Sequence, residues 1–276
     1  MPLVHELKAA ILVGILLFVV ASLRLLYILP SVRKTCPAPR KRGAPTRLLI
    51  VLGSGGHTAE MFAILSKLDT ASYTHRSYVV SEGDNFSAQK AIEFEDHLSA
   101  RLTKLEARSP SQSPSARPPE QKNRQAPGKS PSLNYDITII PRARRIHQSL
   151  WSTPISAVKC LLACFSVLRS PSWTALNSAD KEMVAAKATY TYPDLVLTNG
   201  PGTAVCVVLA CLLLKCVGAR GTQNKLRTIY VESWARVRGL SLSGKILVRL
   251  VDRFLVQWEA LKGVGGGRGE YLGVLV

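Results

Sequence analysis

Acidic side chains are scarce in this chain: 18 Asp and Glu stand against 36 Lys and Arg, a formal charge of +18 over 276 residues. That imbalance suits nucleic acid, an anionic membrane face or phosphorylated substrates, and charge alone does not choose among them. The first is set aside because no helix-turn-helix, zinc-finger or aromatic-platform signature accompanies the charge, so no nucleic-acid partner is expected. Cysteine lacks the patterns that carry chemistry. Of the six, Cys36, Cys160, Cys164, Cys206, Cys211 and Cys216, most sit inside apolar stretches, and no CxxC pair accompanies a His cluster at ligand spacing. They read as reduced core thiols, with Cys160 and Cys164 one helical turn apart on a packed face. A reducing compartment is expected, with no metal and no cofactor. The Gly-Lys-Ser/Thr ending of a Walker A loop is missing too, as is the Gly-x-Gly-x-x-Gly spacing of a dinucleotide site.

What the chain does have is apolar sequence, 47% of its residues, enough for a substantial core. Residues 9–23 carry no charge, and after Arg24 the run resumes as Leu25, Leu26, Tyr27, Ile28 and Leu29 before Pro30. Together they make about a bilayer's worth of helix, with Lys8 and Arg24 near its ends and Tyr27 suited to the interface. A secretory signal peptide is the rival reading, but a basic stretch follows rather than a small-residue cleavage site. Residues 1–30 are therefore expected to be a transmembrane anchor and 31–46 a basic linker. Downstream Arg33, Lys34, Arg40, Lys41, Arg42 and Arg47 outnumber Lys8 upstream, which places the body on the cytosolic side.

The body, residues 47–276, alternates apolar strands with helical patterns. Residues 48–52 form a continuous apolar run, as in a parallel strand covered on both faces. A Gly-rich turn leads into a helix over 57–68, with Met61, Leu65 and Leu68 at helical spacing. Strands follow at 77–81 and 135–141, and helices at 85–98 and 154–168. Between about 106 and 133, and again near 170–181, polar residues replace the pattern, and a disordered insertion is expected at the first. The plan of strand, glycine turn and helix repeats at 195–198, 199–203 and 204–217. That last apolar helix is short for a membrane and reads as a core helix, with a re-entrant segment as the lesser alternative. Strands at 228–232 and 253–258 enclose a helix at 241–251. The fold class is α/β: a Rossmann-like, doubly wound parallel sheet with one N-terminal transmembrane helix. Ligands of such sheets bind at the C-terminal strand edge, where both glycine turns and the Glu232-Ser233 turn converge.

The turn Gly53, Ser54, Gly55, Gly56, His57, Thr58 sets exposed backbone N–H groups at a helix start, an arrangement suited to phosphate. His57 is either a general base, or a donor to pyrophosphate, or a residue that satisfies local backbone. Glu232 either bonds sugar hydroxyls or caps the next helix. The basic group Arg142, Arg144 and Arg145 meets lipid headgroups or a pyrophosphate, or is simply solvated.

Four segments in order carry a family resemblance: Leu-Ile-Val-Leu-Gly-Ser-Gly-Gly-His-Thr-Ala-Glu-Met at 49–61, Thr-Asn-Gly-Pro-Gly-Thr at 198–203, Tyr-Val-Glu-Ser-Trp-Ala-Arg-Val at 230–237 and the final Tyr-Leu-Gly-Val-Leu-Val. They resemble the membrane-anchoring subunits of the endoplasmic-reticulum N-acetylglucosaminyltransferase of asparagine-linked glycosylation, which adds the second N-acetylglucosamine to dolichol-pyrophosphate-linked N-acetylglucosamine. The resemblance implies the lipid-acceptor, N-terminal half of a GT-B glycosyltransferase, similar to that of the bacterial peptidoglycan enzyme. A soluble UDP-N-acetylglucosamine-binding catalytic subunit would supply the other half, since no second Rossmann domain follows Val276. It implies that Gly53, Ser54, Gly55, Gly56 and Thr58, with Asn199, Gly200, Gly202, Thr203, Glu232 and Ser233, hold acceptor pyrophosphate and sugar. His57 would be the base, and the tail Tyr271, Leu272, Val274, Leu275 and Val276 would dock the partner. Enzymes acting before and after this step are further partner candidates. The Gly-rich run 263–269 and the insertion after Ser109 depart from the pattern, and the first bears on partner affinity. A non-enzymatic membrane scaffold that recruits a soluble enzyme is the competing expectation.

Overall fold

A computed structural model describes residues 2–32, 46–68, 73, 75–108, 135–144, 148–149, 151–169, 192–200, 202–222 and 224–276. The expected linker and both polar excursions lie outside these residues, apart from their margins. So do Cys36 and Arg145.

The body is a seven-stranded sheet. Its strands are β1 (Arg47–Val51), β2 (His75–Ser81), β3 (Tyr135–Ile140), β4 (Leu195–Asn199), β5 (Arg227–Val231), β6 (Arg253–Val256) and β7 (Gly269–Tyr271). Their order is β3-β2-β1-β4-β5-β6-β7 and every pairing is parallel. Parallel neighbours need crossovers, and these are helices α2 (Gly56–Lys67), α3 (Asn85–Arg108), α4 (Thr153–Leu168), α5 (Gly202–Cys216) and the short α6 (Leu242–Leu247), all preceded in the chain by α1 (Pro2–Ile28). The winding reverses between β1 and β4, which are direct neighbours with Val51 opposite Thr198. That junction is the switch point at which a sheet of this kind opens a crevice.

Alternation along the strands sorts the core into two faces. Leu49, Val51, Val79 and Val196 pack with Cys160 and Cys164 of α4 and Cys206, Val207 and Cys211 of α5. Leu48, Ile50, Tyr78, Val80 and Leu197 face Met61 and Leu65 of α2. Because both faces are covered, β1 is buried throughout, which is why its sequence is an unbroken apolar run. The thiols belong to this core. A hydrogen bond with Cys164 pushes Cys160 up to about 12, and burial pushes Cys211 up to about 12.

Helix α1 is the one described helix long and apolar enough to cross a membrane, through Ile11–Ile28, and its large apolar side chains are mostly exposed. Its C-terminal end is tied to the body. Ile28 enters a cluster with Val208, Leu212, Leu247 and Phe254. Arg24 Nε donates to the Cys216 carbonyl at the end of α5 (3.3 Å), where a helix dipole favours positive charge.

The sequence expectations shift at several boundaries. Arg47 leaves the basic flank: it opens β1, and its Nε donates to Ser77 Oγ at 3.0 Å. Helix α3 continues past residue 98 to Arg108, which overlaps the first residues of the expected insertion. Helix α6 stops at Leu247 instead of reaching 251. Beyond it, the Arg268 guanidinium collects the carbonyls of Val248 and Val251. Strand β6 stops at Val256, because Gln257 turns to donate its amide to the Glu232 carbonyl at 3.1 Å. The Gly-rich run forms a tight left-handed turn, with positive φ at Gly263, Gly265, Gly266 and Gly267, which feeds the unforeseen edge strand β7.

Candidate functional site

The site is built at the β1/β4 junction from two glycine turns. Gly55 caps α2 with φ +63°, a conformation that favours glycine, and no side chain caps this helix start. Thr58 and Ala59 send their N–H groups back to the Gly55 carbonyl. The remaining first-turn amides of α2 point out of its N-terminus with the positive end of the helix dipole, as do those of α5, which starts at Gly202 beyond the neighbouring strand.

His57 sits between the turns. A Cβ on Gly53 would lie 2.7 Å from its Cβ, and one on Gly200 would lie 3.0 Å from its ring carbon Cγ, so small residues on both sides make room for the imidazole. Gly200 adds φ +78°, a second reason for glycine there. Asn199 joins the turns by donating its side-chain amide to the His57 carbonyl at 2.7 Å. The His57 side chain keeps 31% exposure while its Nδ1 is buried. The nitrogen able to meet a ligand is therefore Nε2.

Other expected site residues are divided between lining and support. Ser54, Gly55 and Gly56 are exposed, Gly202 and Thr203 partly so. Thr58 is fully buried: its hydroxyl donates to the Gly53 carbonyl and shares a 2.6 Å hydrogen bond with Ser87, which in turn donates to Asp84 at 2.6 Å. Thr58 braces the loop from behind, and the buried Asn199 ties one turn to the other. Thr203 hydrogen-bonds Ser81 across 3.0 Å, and Arg142 Nε donates to the Glu82 carbonyl at 2.7 Å, which brings the end of β2 to the same edge.

Glu232 resolves toward capping. Its carboxylate is 1% exposed and accepts from the Ser233 N–H (3.0 Å), the Ser241 N–H (3.1 Å) and the Ser241 hydroxyl (3.1 Å), while Ser241 caps α6 through the Gly244 N–H. Ser233 points the other way, donating to Glu60 Oε1 at 2.8 Å. Tyr230 closes the floor with its hydroxyl 3.3 Å from the Gly200 carbonyl, and burial pushes that phenol above its ordinary range. Glu60 and Tyr230 were not singled out from sequence. The signal for Glu60 was its place three residues after His57 on one helix. No group of three His, Cys, Asp and Glu at metal-holding distance occurs among the described residues.

The C-terminal tail is split. Leu272, Val274 and Val276 are exposed, whereas Tyr271 packs beside β6 and Leu275 turns inward onto the α2 face of the sheet. The Leu275 carbonyl accepts from Lys67 Nζ at 3.1 Å.

The family model "Oligosaccharide biosynthesis protein Alg14 like" matches residues 48–275. The chain belongs to that family. An Aspergillus fumigatus relative named UDP-N-acetylglucosamine transferase subunit alg14 is 40% identical over 78% of this chain and 100% of its own length. The Schizosaccharomyces pombe protein of the same name is 34% identical over 93% of this chain and 96% of its own. The Homo sapiens member is 35% identical over 78% and 76%. No solved structure matches. The segments at 49–61, 198–203 and 230–237 fall within the family match, and the fourth runs one residue past its end.

Proposed function

We propose that this chain is the acceptor-binding, membrane-anchoring subunit of a two-chain N-acetylglucosaminyltransferase at the endoplasmic-reticulum membrane. In this reading α1 spans the bilayer once, the body faces the cytosol, and a soluble partner contributes the UDP-N-acetylglucosamine site. The acceptor is N-acetylglucosamine-pyrophosphate-dolichol. The names of the relatives support the transferase role, and the apolar α1 supports the anchor.

The observation that carries the acceptor assignment is the apposition of two glycine turns, each opening a helix N-terminus, around one half-exposed histidine at the sheet's switch point. A pyrophosphate meets orphan amides and two positive helix ends there. The sugar hydroxyl then reaches His57 Nε2, which takes its proton as the oxygen attacks the anomeric carbon of UDP-N-acetylglucosamine and UDP departs. Glu232 and Thr58 hold the walls of this site and do not touch the sugar. The exposed tail residues Leu272, Val274 and Val276 form the partner-docking edge, alongside the unpaired side of β7.

The test is transfer of labelled N-acetylglucosamine from UDP-N-acetylglucosamine to the pyrophosphate-linked N-acetylglucosamine lipid, in membranes carrying this chain with and without its soluble partner. Activity only with both chains is the expected result. Silence from a pair that still assembles would reject the acceptor assignment and favour a scaffold.

A further inference from the structure

Glu60 leaves α2 one turn after His57, so the two side chains emerge on the same side of the helix. Its Oε2 lies 3.6 Å from His57 Nδ1, and its Oε1 accepts the Ser233 hydroxyl at 2.8 Å. His57 Nδ1 is buried and has no hydrogen-bond partner among the described residues. A proton buried on this nitrogen needs an acceptor, and Glu60 is the carboxylate within reach. Hydrogen bonds of this kind are often long before substrate arrives and shorten in the reacting complex.

The imidazole has little freedom to turn elsewhere. Gly53 and Gly200 wall it on two sides, and Asn199 fixes its backbone carbonyl. Glu60 is equally constrained, because Ser233 is itself held through its N–H by the buried Glu232. A chain of contacts thus runs from the capping carboxylate through Ser233 and Glu60 to the histidine, linking the first and third sequence motifs across 173 positions.

We infer that Glu60 is a positioning residue: it holds the His57 ring with the proton on Nδ1, which leaves the Nε2 lone pair directed at the acceptor hydroxyl. This rests on the reading of His57 as the base. The carboxylate orients the ring and stabilises the imidazolium that forms when the hydroxyl proton arrives, without itself taking that proton.

The experiment uses the complete two-chain complex in membranes, with Glu60→Gln, His57→Ala and the double variant. Glu60→Gln keeps an oxygen for Ser233 and removes the charge, and retention of the partner on purification reports that the variant is folded. Expected is a fall in kcat of about tenfold or more with KM for the acceptor lipid within about twofold, and no further loss when Glu60→Gln is added to His57→Ala. An equal loss in both backgrounds, or a rise in KM alone, would mean that Glu60 only fastens α2 to the Ser233 turn, and the inference would be overturned. If His57→Ala is slow while Glu60→Gln keeps full rate, this inference falls and the base assignment stands. If His57→Ala keeps full rate, the base assignment falls first.

Discussion

Two polar clusters in this molecule, one on each side of β1, are solved in opposite ways. Between β2 and α3, the buried Arg76 makes a bidentate pair with the buried Glu95 (2.6 and 2.8 Å), and the Tyr78 hydroxyl donates to the same carboxylate at 2.6 Å. At the C-terminal strand edge, His57 Nδ1, Asn199 Oδ1 and Gln257 Oε1 are buried without a hydrogen-bond partner among the described residues. Buried polar groups are normally matched, so the first cluster is architecture, while the second leaves polar atoms unmatched. The contrast separates residues that hold the fold from residues proposed to serve chemistry, even though both clusters are polar and largely enclosed.

That division can be broken from either side. The largest effect is expected for His57→Ala, which should lower transfer by about 10²–10⁴-fold, the range for a lost general base, with little change in thermal stability. Glu95→Ala should do the reverse: stability falls by about 3–5 kcal/mol because the buried Arg76 loses its bidentate carboxylate, while transfer per folded complex is retained. Denaturant melts paired with activity per folded molecule would read both. A Glu95 variant that is stable but inactive would erase the distinction.

Gly200→Ala tests the seam between the regions. It forces a side chain into φ +78° and against the His57 ring, at a strain of about 1–3 kcal/mol. Transfer should fall by more than that stability loss accounts for.

A smaller effect involves Asp136 on β3. Burial would raise its carboxyl, but hydrogen bonds from His75 and Ser77, with Arg47 nearby, hold it below the usual carboxylate range. A carboxyl whose folded value is depressed adds stability above its unfolded value, and that stability is lost as pH falls from about 4 downward through the folded value. Melting followed from pH 6 to pH 3 should show a steeper acid loss in the parent than in Asp136→Asn. Smallest of all is Glu270→Gln at the exposed Arg253–Glu270 pair, which should change stability by less than about 1 kcal/mol.

Much of this frame was legible in the chain. The unbroken apolar runs of β1 and β4 announced strands covered on both faces, and the glycines after them announced turns that approach a ligand. The resemblance carried the rest of the assignment. What could not be read was direction and pairing. Glu232 follows a strand just as a ligand-binding carboxylate would, and only the fold shows its oxygens given over to Ser233 and Ser241. Strand β7 is three residues long in a Gly-rich setting, and it exists because β6 offers it an edge. Glu60 needed Ser233, far along the chain, to acquire a role. The tail's apolar alternation gave no sign of which residues turn inward, because Leu275 finds its partners on the opposite side of the sheet from Tyr271.

The central claim is that the glycine turns form an acceptor site rather than a structural corner, and Gly56→Asp addresses it most directly. The substitution puts a side chain and a negative charge at the α2 N-terminus, where a Cβ on Gly56 meets open space and a pyrophosphate would sit, without the positive φ of Gly55. Transfer should be measured in membranes after confirming that the variant still co-purifies with the soluble subunit. Loss of transfer with the partner retained is the predicted result. Full transfer by that folded, assembled variant would contradict the account and leave this chain a scaffold.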